Sequence, residues 1–532
     1  MHSARTSSSR LDVEERAAYG GDKKADDETP SPSRDSSRRD LQDVDVDVDV
    51  EKVASPPQSP ADKATQDEFL VTFSPNDPEN PRDWPTLKKG LITLLLGMLA
   101  FSGSLGSSII APANSAIARE YRVRDEIVTL NISLYVLGFA LGPSLWAPIS
   151  EVYGRKVSIL PPVFILGLFS IGTAVSRNIE SIIITRFLAG VFGSAPISNV
   201  SAALGDMYAP AARGTAVTFY AVCVCGGPTL GPVIGAALTV TLGWRWTEYV
   251  EAIWVFFVFA IALLFMPEMY ASVLLKRKAQ RLRKETGDER YFHPHEQERM
   301  RLDNIIQKYL SRPVRMLVTE PMITCIAMYA SFVYGLLYMT LEVFPIVYED
   351  QRGWSPVLGG LPFLGLLVGV CSAVLINLQN QPAYRRAVDA NKGRAVPEAR
   401  LPPMGVGGWL FVIGLFGFAW TAHPKIHWAV PTVFTAFIGA GFNTIFQQCI
   451  NFLVDTYGPY AASAVAANTV LRSIMACGLP LAAKPMFRQI GVGPAGSVLG
   501  GVACLALPVP WLFKWYGLTL RRMSKFAPVE ED

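Results

Sequence analysis

The sequence predicts an all-α polytopic membrane protein, with twelve transmembrane helices in two groups of six. Composition is the first reason. Charged residues are 17% of the 532, below the roughly 25% of a soluble domain, and the 50% that are hydrophobic are clustered. Segment length is the second. A bilayer core takes about 20 apolar residues per helix, and twelve such segments can be placed along the chain. The third is charge placement: one orientation puts most loop Lys and Arg on a single side, the pattern of cytosolic loops.

Residues 1–85 read as an N-terminal cytosolic tail, rich in Ser, Asp, Arg and Pro and expected to be disordered. Val44 to Val50 alternates Val and Asp like a strand, but its acidic charge and lack of neighbours favour disorder. Ser31-Pro32 offers a phosphorylation site. No secretory signal opens the chain, so the first span is expected to direct insertion. Asp77-Pro-Glu-Asn-Pro-Arg-Asp-Trp84-Pro85 leads in, extended by its prolines, with Trp84 suited to an interfacial anchor.

Spans are expected at 89–111, 127–149, 157–176, 181–204, 214–242 and 247–266, making a first half over 86–266. A basic linker, 267–320, follows; Lys276, Arg277, Lys278, Arg281, Arg283 and Lys284 suggest an amphipathic helix along anionic headgroups. Six more spans, 321–347, 357–377, 404–421, 428–453, 463–487 and 494–516, make a second half over 321–516. Arg385, Arg386, Lys392, Arg394 and Arg400 are expected in a loop between the eighth and ninth spans, and 517–532 in a cytosolic C-terminal tail. Both termini then face the cytosol, and the plasma membrane is the expected location. No sequence repeat is obvious between the halves.

Several stretches carry chemistry. Gly226 to Gly235 reads Gly-Gly-Pro-Thr-Leu-Gly-Pro-Val-Ile-Gly inside an apolar run. Two prolines and four glycines would break a helix in water; in a membrane, small residues let backbones approach and neighbours re-satisfy freed carbonyls. Gly227, Pro228, Gly231, Pro232 and Gly235 therefore predict a kinked, closely packed span at a moving interface between bundles, with a merely distorted span as the alternative. In Ser150-Glu-Val-Tyr-Gly-Arg-Lys156, a glycine turn joins two spans with opposite charges at its ends. Glu151, Gly154, Arg155 and Lys156 read as a latch, with Asp206 and Arg213 as partners; an ordinary basic turn is the alternative.

Arg186 lies within the fourth span. A cation at the bilayer centre costs at least about 2.5–3.5 kcal/mol on insertion scales, so it should face inward and have a partner. Glu342, a lone carboxylate in an apolar span, is a candidate to bind a proton or attract a cation, or else a hydrogen-bonded structural acid. Glu248 and Glu251 begin the sixth span, where structural roles at the outer interface are expected. Arg472 and Lys484 bracket the eleventh span and suggest packing and gating. Tyr135, Asn199, Tyr220, Phe332, Tyr338, Phe446, Gln447 and Asn451 are polar or aromatic residues within spans and are candidates to line a cavity for an amphipathic organic molecule.

Gly227-Pro228-x-x-Gly231-Pro232-x-x-Gly235 resembles the span-5 antiporter motif of major facilitator exporters. The turn at 150–156 resembles the superfamily's loop 2–3 motif, with Val152 and Ala147 as departures expected of its fungal branch. Pro267-Glu-Met-Tyr and the basic run to Gly287 are similar to the segment after span 6 in fungal twelve-span drug, polyamine and metabolite exporters. The resemblance covers roughly 77–526 and implies a major facilitator fold with alternating access. It implies proton-coupled efflux of a small organic compound, with Arg186 and Glu342 as the coupling pair. An importer of a small nutrient, or a membrane sensor on the same scaffold, are the alternatives. The partners implied are a small-molecule substrate, protons and membrane lipids, for a monomer that binds no nucleic acid and needs no cofactor or metal. An enzyme is not indicated: there is no nucleotide loop, and none of the five histidines falls in an expected span. The seven cysteines all fall in spans, and Cys223-x-Cys225 has no second pair to build a metal site.

Overall fold

Twelve helices long and apolar enough to cross a membrane account for most of the described residues. The structure is a computed structural model that describes residues 69–75, 77–296, 310–391, 394–524 and 526. The readings of Ser31-Pro32 and of Val44 to Val50 lie outside the described residues.

Six spans precede the linker: α1 (Thr86–Tyr121), α2 (Asp125–Tyr153), α3 (Arg155–Ala174), α4 (Ile179–Met207), α5 (Ala212–Thr241) and α6 (Arg245–Phe265). Six follow it: α7 (Pro321–Asp350), α8 (Pro356–Ala390), α9 (Pro397–Thr421), α10 (Ala429–Tyr457), α11 (Ala461–Ile490) and α12 (Val492–Gly517). The even count returns the chain to the side it started from. That side carries the linker and is called the linker face; the opposite side is the far face. Large apolar residues such as Phe257, Leu264, Val368 and Leu505 point outward, as lipid-facing positions do.

Several helices outrun their apolar segments. α8 continues to Ala390, so Arg385 and Arg386 ride on helix rather than in the loop expected for them. Apolar length sets where a span can be buried, but backbone hydrogen bonding continues into water until a terminator intervenes.

α1 departs from regular helix in its outer third. Its α-helix ends at Gly106, and a short 3-10 turn at Ala111–Ala113 precedes a second helix, Asn114–Tyr121. Broken helices in membranes survive where side chains take the freed carbonyls. Here Ser107 Oγ donates to Ser104 O at 2.6 Å and Arg186 Nη2 to Gly106 O at 2.5 Å.

The lead-in does not behave as part of a disordered tail. Its described residues, from 69 to 85, are strapped to the linker. Lys278 Nζ pairs with Asp77 at 2.6 Å and Arg281 with Glu79 at 2.7 Å. The Val71 N–H donates to Phe292 O at 3.1 Å, and Arg290 lies 4.1 Å over the Phe69 ring. Trp84 is buried and donates its indole N–H to Pro78 O at 3.1 Å. The basic linker helix, Ala271–Thr286, thus spends part of its charge on this strap. The Lys278 ammonium, with the Glu79 N–H, holds the Asp77 carboxyl below the ordinary carboxylate value. A depressed carboxylate stabilises the fold above its unfolded value and loses that contribution only as pH falls through the folded one. Strap stability is therefore constant across neutral pH.

Candidate functional site: two buried arginines, two latches and a far-face lock

The span-2/span-3 turn is built around Gly154, whose φ of +100° and ψ of 171° suit glycine alone. A Cβ there would also sit 2.4 Å from Glu268 Oε2. Glu268, just past α6, is the residue that makes the turn a clasp. Its carboxylate accepts the backbone N–H groups of Arg155 at 2.8 Å and Lys156 at 3.1 Å, capping the N-terminus of α3. It also accepts those of Met269 and Tyr270, both at 2.9 Å. Arg155 donates to Asp206 at 2.8 Å and to Ser150 Oγ at 2.6 Å, and stacks 4.7 Å from the Tyr270 ring. Lys156 reaches Leu263 O at 3.3 Å. Glu151 is half-buried at the end of α2, and Arg213 makes no ion pair among the described residues. Gly154→Ala should cost about 1–3 kcal/mol from backbone strain alone. Purified variant is expected to melt several degrees lower than wild type; an unchanged midpoint would remove the strain argument.

The second half repeats the clasp. Arg400 at the start of α9 pairs with Asp455 near the end of α10 at 2.9 Å, the positions that Arg155 and Asp206 hold on α3 and α4. Arg400 stacks 3.4 Å from Tyr384, which donates to the same Asp455 at 2.8 Å. The internal repeat absent from the sequence is present in the placement of charge.

Arg186 is wholly buried, and its carboxylate partners are on α6. Nη1 lies 3.3 Å from Glu248 and 3.8 Å from Glu251, both fully buried too. Nε donates to Asn131 O at 3.3 Å, and the guanidinium stands 4.3 Å over the Tyr135 ring. Tyr135 in turn donates to Gly103 O at 2.8 Å. Arg186 and Glu342 each make their ion pairs elsewhere, and the α6 acids, expected at the outer interface, are fully buried within the protein. Positions three apart share a helix face, so Glu248 and Glu251 turn inward together toward α4. That spacing in an apolar span is the signal sequence reasoning passes over. The site holds two carboxylates and one guanidinium, with Glu251 the farther of the two acids from Arg186.

Glu342 instead locks the far face. Lys484 of α11 lies 3.1 Å from it and 3.7 Å from Asp125 of α2. Asn114 of α1 and Thr129 of α2 donate to Glu342 Oε1, each at 3.4 Å. Both halves contribute, so this face is closed.

The Gly/Pro stretch is an unbroken part of the helix Pro210–Thr241. Its glycines pack on α1 of the same half. A Cβ on Gly227 would meet Ser104 C at 2.5 Å, on Gly231 Ser108 Oγ at 2.0 Å, and on Gly235 Ile109 O at 1.9 Å. Pro232 does face the other half, lining a small apolar niche with Leu341, Pro345 and Gly360. Sequence shows that a helix has a small-residue face, not which neighbour takes it.

Of the cavity candidates, four meet at the seam between the halves. Tyr338 Oη is 2.9 Å from Ser107 Oγ, Gln447 donates to Thr218, Phe446 stacks on Tyr334 at 5.7 Å, and Tyr220 is buried nearby on α5. Tyr135 and Asn199 lie inside the first half, Asn199 donating to Trp146 O at 3.3 Å. Phe332 and Asn451 are half-buried. Arg472 of α11 is buried between Tyr334, 4.7 Å away, and Phe446, 4.9 Å away.

Twelve spans in two halves, buried ion groups within them, and a lock joining the halves at one face define a membrane carrier. The Major Facilitator Superfamily model matches residues 96–480, and the chain belongs to that family. It is 41% identical over 454 residues to "Efflux pump bik6" of Gibberella fujikuroi, covering 85% of this chain and 93% of that one. It is 37% identical to the "Major facilitator superfamily multidrug transporter FLU1" of Candida albicans, covering 88% of this chain and 77% of the relative. These place it in the fungal drug-efflux branch, among transporters and not enzymes. The fold matches that of a solved proton:xylose symporter, XylE, with a TM-score of 0.56 at 15% identity, over 81% of this chain and 97% of that one.

Proposed function

We propose that this transporter exports a small organic compound from the cytosol in exchange for protons, across the plasma membrane and with the linker face cytosolic. The observation that carries the proposal is the Arg186–Glu248–Glu251 group. One guanidinium balances one carboxylate, so the dry site is neutral only when a single proton joins it. A site that must gain a proton to stay closed, and can release it when opened to water, ties proton movement to conformation.

The wiring is short. Arg186 holds Gly106 O at the break in α1. The next residue, Ser107, touches Tyr338 across the seam. Change at the charged group thus moves the α1 break, and with it the contact between halves. The two linker-face clasps hold each half rigid, and the far-face lock keeps this conformation shut to the outside. Opening that lock while the seam tightens at the linker face is the outward step. One proton entering through 100 mV releases about 2.3 kcal/mol to drive the cycle.

Purified protein in vesicles tests this directly. An imposed proton gradient should drive accumulation of an exported dye against its own gradient, collapsing with an ionophore. Accumulation unchanged by the ionophore would remove proton exchange. The lock has its own test. Lys484→Met should raise labelling of a Ser107→Cys reporter by impermeant maleimide from the far side about fivefold, since a partly exposed pair is worth up to about 1 kcal/mol. Unchanged labelling would mean that Lys484 does not hold the face closed.

A further inference from the structure

Arg186 and Arg472 are both buried within spans of opposite halves and are treated very differently. Arg186 has two carboxylates. Arg472, only 4% exposed, makes no ion pair or hydrogen bond among the described residues, and its Nε is enclosed without an acceptor. Two aromatic faces are its only contacts of charge-stabilising kind among those residues. Rings compensate a cation weakly compared with a carboxylate. One helical turn away, on the same face, Asn468 is fully buried with both amide atoms unpartnered. A buried amide and a buried guanidinium that both lack partners are rare in settled packing.

Their position is as telling. Arg472 of α11 stands against α7 (Tyr334) and α10 (Phe446), and α10 meets α5 of the first half on either side of Phe446, at Gln447–Thr218 and Asn443–Cys225. It is therefore at the contact between halves, which alternating access must uncover. Asn468 lies toward the linker face from it, on the side from which an exported compound arrives.

We infer that Arg472 and Asn468 form an anion-recognition site, and that the exported compounds include aromatic carboxylates. The guanidinium takes the carboxylate as a fork, the Asn468 amide donates to the same group, and Tyr220, Tyr334 and Phe446 bound the ring. The inference rests on the export reading and names its substrate class. It replaces the packing role that the sequence suggested for Arg472.

Three probes share one ring and differ in charge: 1-naphthoate, 1-naphthylmethanol and 1-naphthylmethylammonium. Equilibrium dialysis with full-length protein in nanodiscs, without any gradient, measures binding alone. Wild type should bind the naphthoate at least about tenfold tighter than the alcohol. Arg472→Gln should lose about tenfold or more for the naphthoate and little for the alcohol, and Arg472→Lys should recover part of it. Asn468→Leu, which keeps the cation, should weaken naphthoate binding selectively and serves if the arginine variant fails to fold. Equal affinity for naphthoate and alcohol, tighter binding of the ammonium, or naphthoate binding unchanged in both Arg472→Gln and Asn468→Leu would overturn the assignment. Because no gradient is applied, these outcomes are read separately from proton exchange, which the vesicle assay decides.

Discussion

Arg186→Gln is expected to abolish transport and destabilise the first half by about 3–5 kcal/mol, because it strands buried carboxylates without their cation. The guanidinium is also the donor that holds Gly106 O at the α1 break, so the substitution removes a structural bond as well as a charge. Lower surface expression alone would produce the same loss, so the informative variants are the acids. Glu251→Gln leaves one carboxylate against one guanidinium, a balanced group that needs no proton. It should fold at least as well as wild type and still exchange substrate down its gradient, while accumulation driven by a proton gradient falls by at least about tenfold. Glu248, the nearer of the two at 3.3 Å, is expected to behave more like Arg186. Measuring exchange and gradient-driven uptake on the same vesicles separates the two effects. Wild-type accumulation in both Glu251→Gln and Glu248→Gln would take proton coupling away from this group.

Neighbouring glycines should give opposite results. Gly227→Ala would place a Cβ 2.5 Å from the backbone of Ser104, and Gly235→Ala would place one 1.9 Å from Ile109 O. Backbone cannot yield as a flexible side chain would, so α5 must separate from α1 and lose the hydrogen bonds of Ser104 and Ser108 to Val224 O and Gly227 O. Overpacking of this kind costs about 1–3 kcal/mol, sometimes more, and it displaces the α1 break that carries the Arg186 contact. Transport should fall at least about tenfold in each. Gly226→Ala, one residue earlier, meets only the Phe101 ring at 3.7 Å and should be tolerated. Equal effects at 226 and 227 would show that glycine acts here through backbone freedom, not through contact with α1.

These two experiments mark where sequence reasoning stops. The run from Gly226 to Gly235 announces a helix that packs closely, because small residues in an apolar span serve chiefly to let a neighbour approach. It does not announce α1 as the neighbour, nor distinguish Gly226 from Gly227, because a contact face depends on the rotation of one helix against another. Arg186 announces that it needs an inward partner, since lipid cannot stabilise it. The partner it has, at positions 248 and 251, is legible only as an i,i+3 pair whose direction is open. Glu342 invites the pairing instead because it stands alone in its span, yet solitude in sequence is compatible with a lysine on α11.

The sequence by itself determined the number of spans, the division around a basic linker, the glycine turn at 154 and the need to bury Arg186. Each follows from a local constraint: apolar length against bilayer thickness, or a backbone angle or charge that its own surroundings must accommodate. Only the tertiary structure decided which acid meets which base, that Glu268 clasps the turn, that Glu342 and Lys484 close the far face, and that Arg472 is left facing the seam without a counter-charge among the described residues. Those are pairings between residues far apart in the chain. Coulomb and contact forces act over a few ångströms, so they are fixed by how helices are turned and stacked, which no single segment encodes.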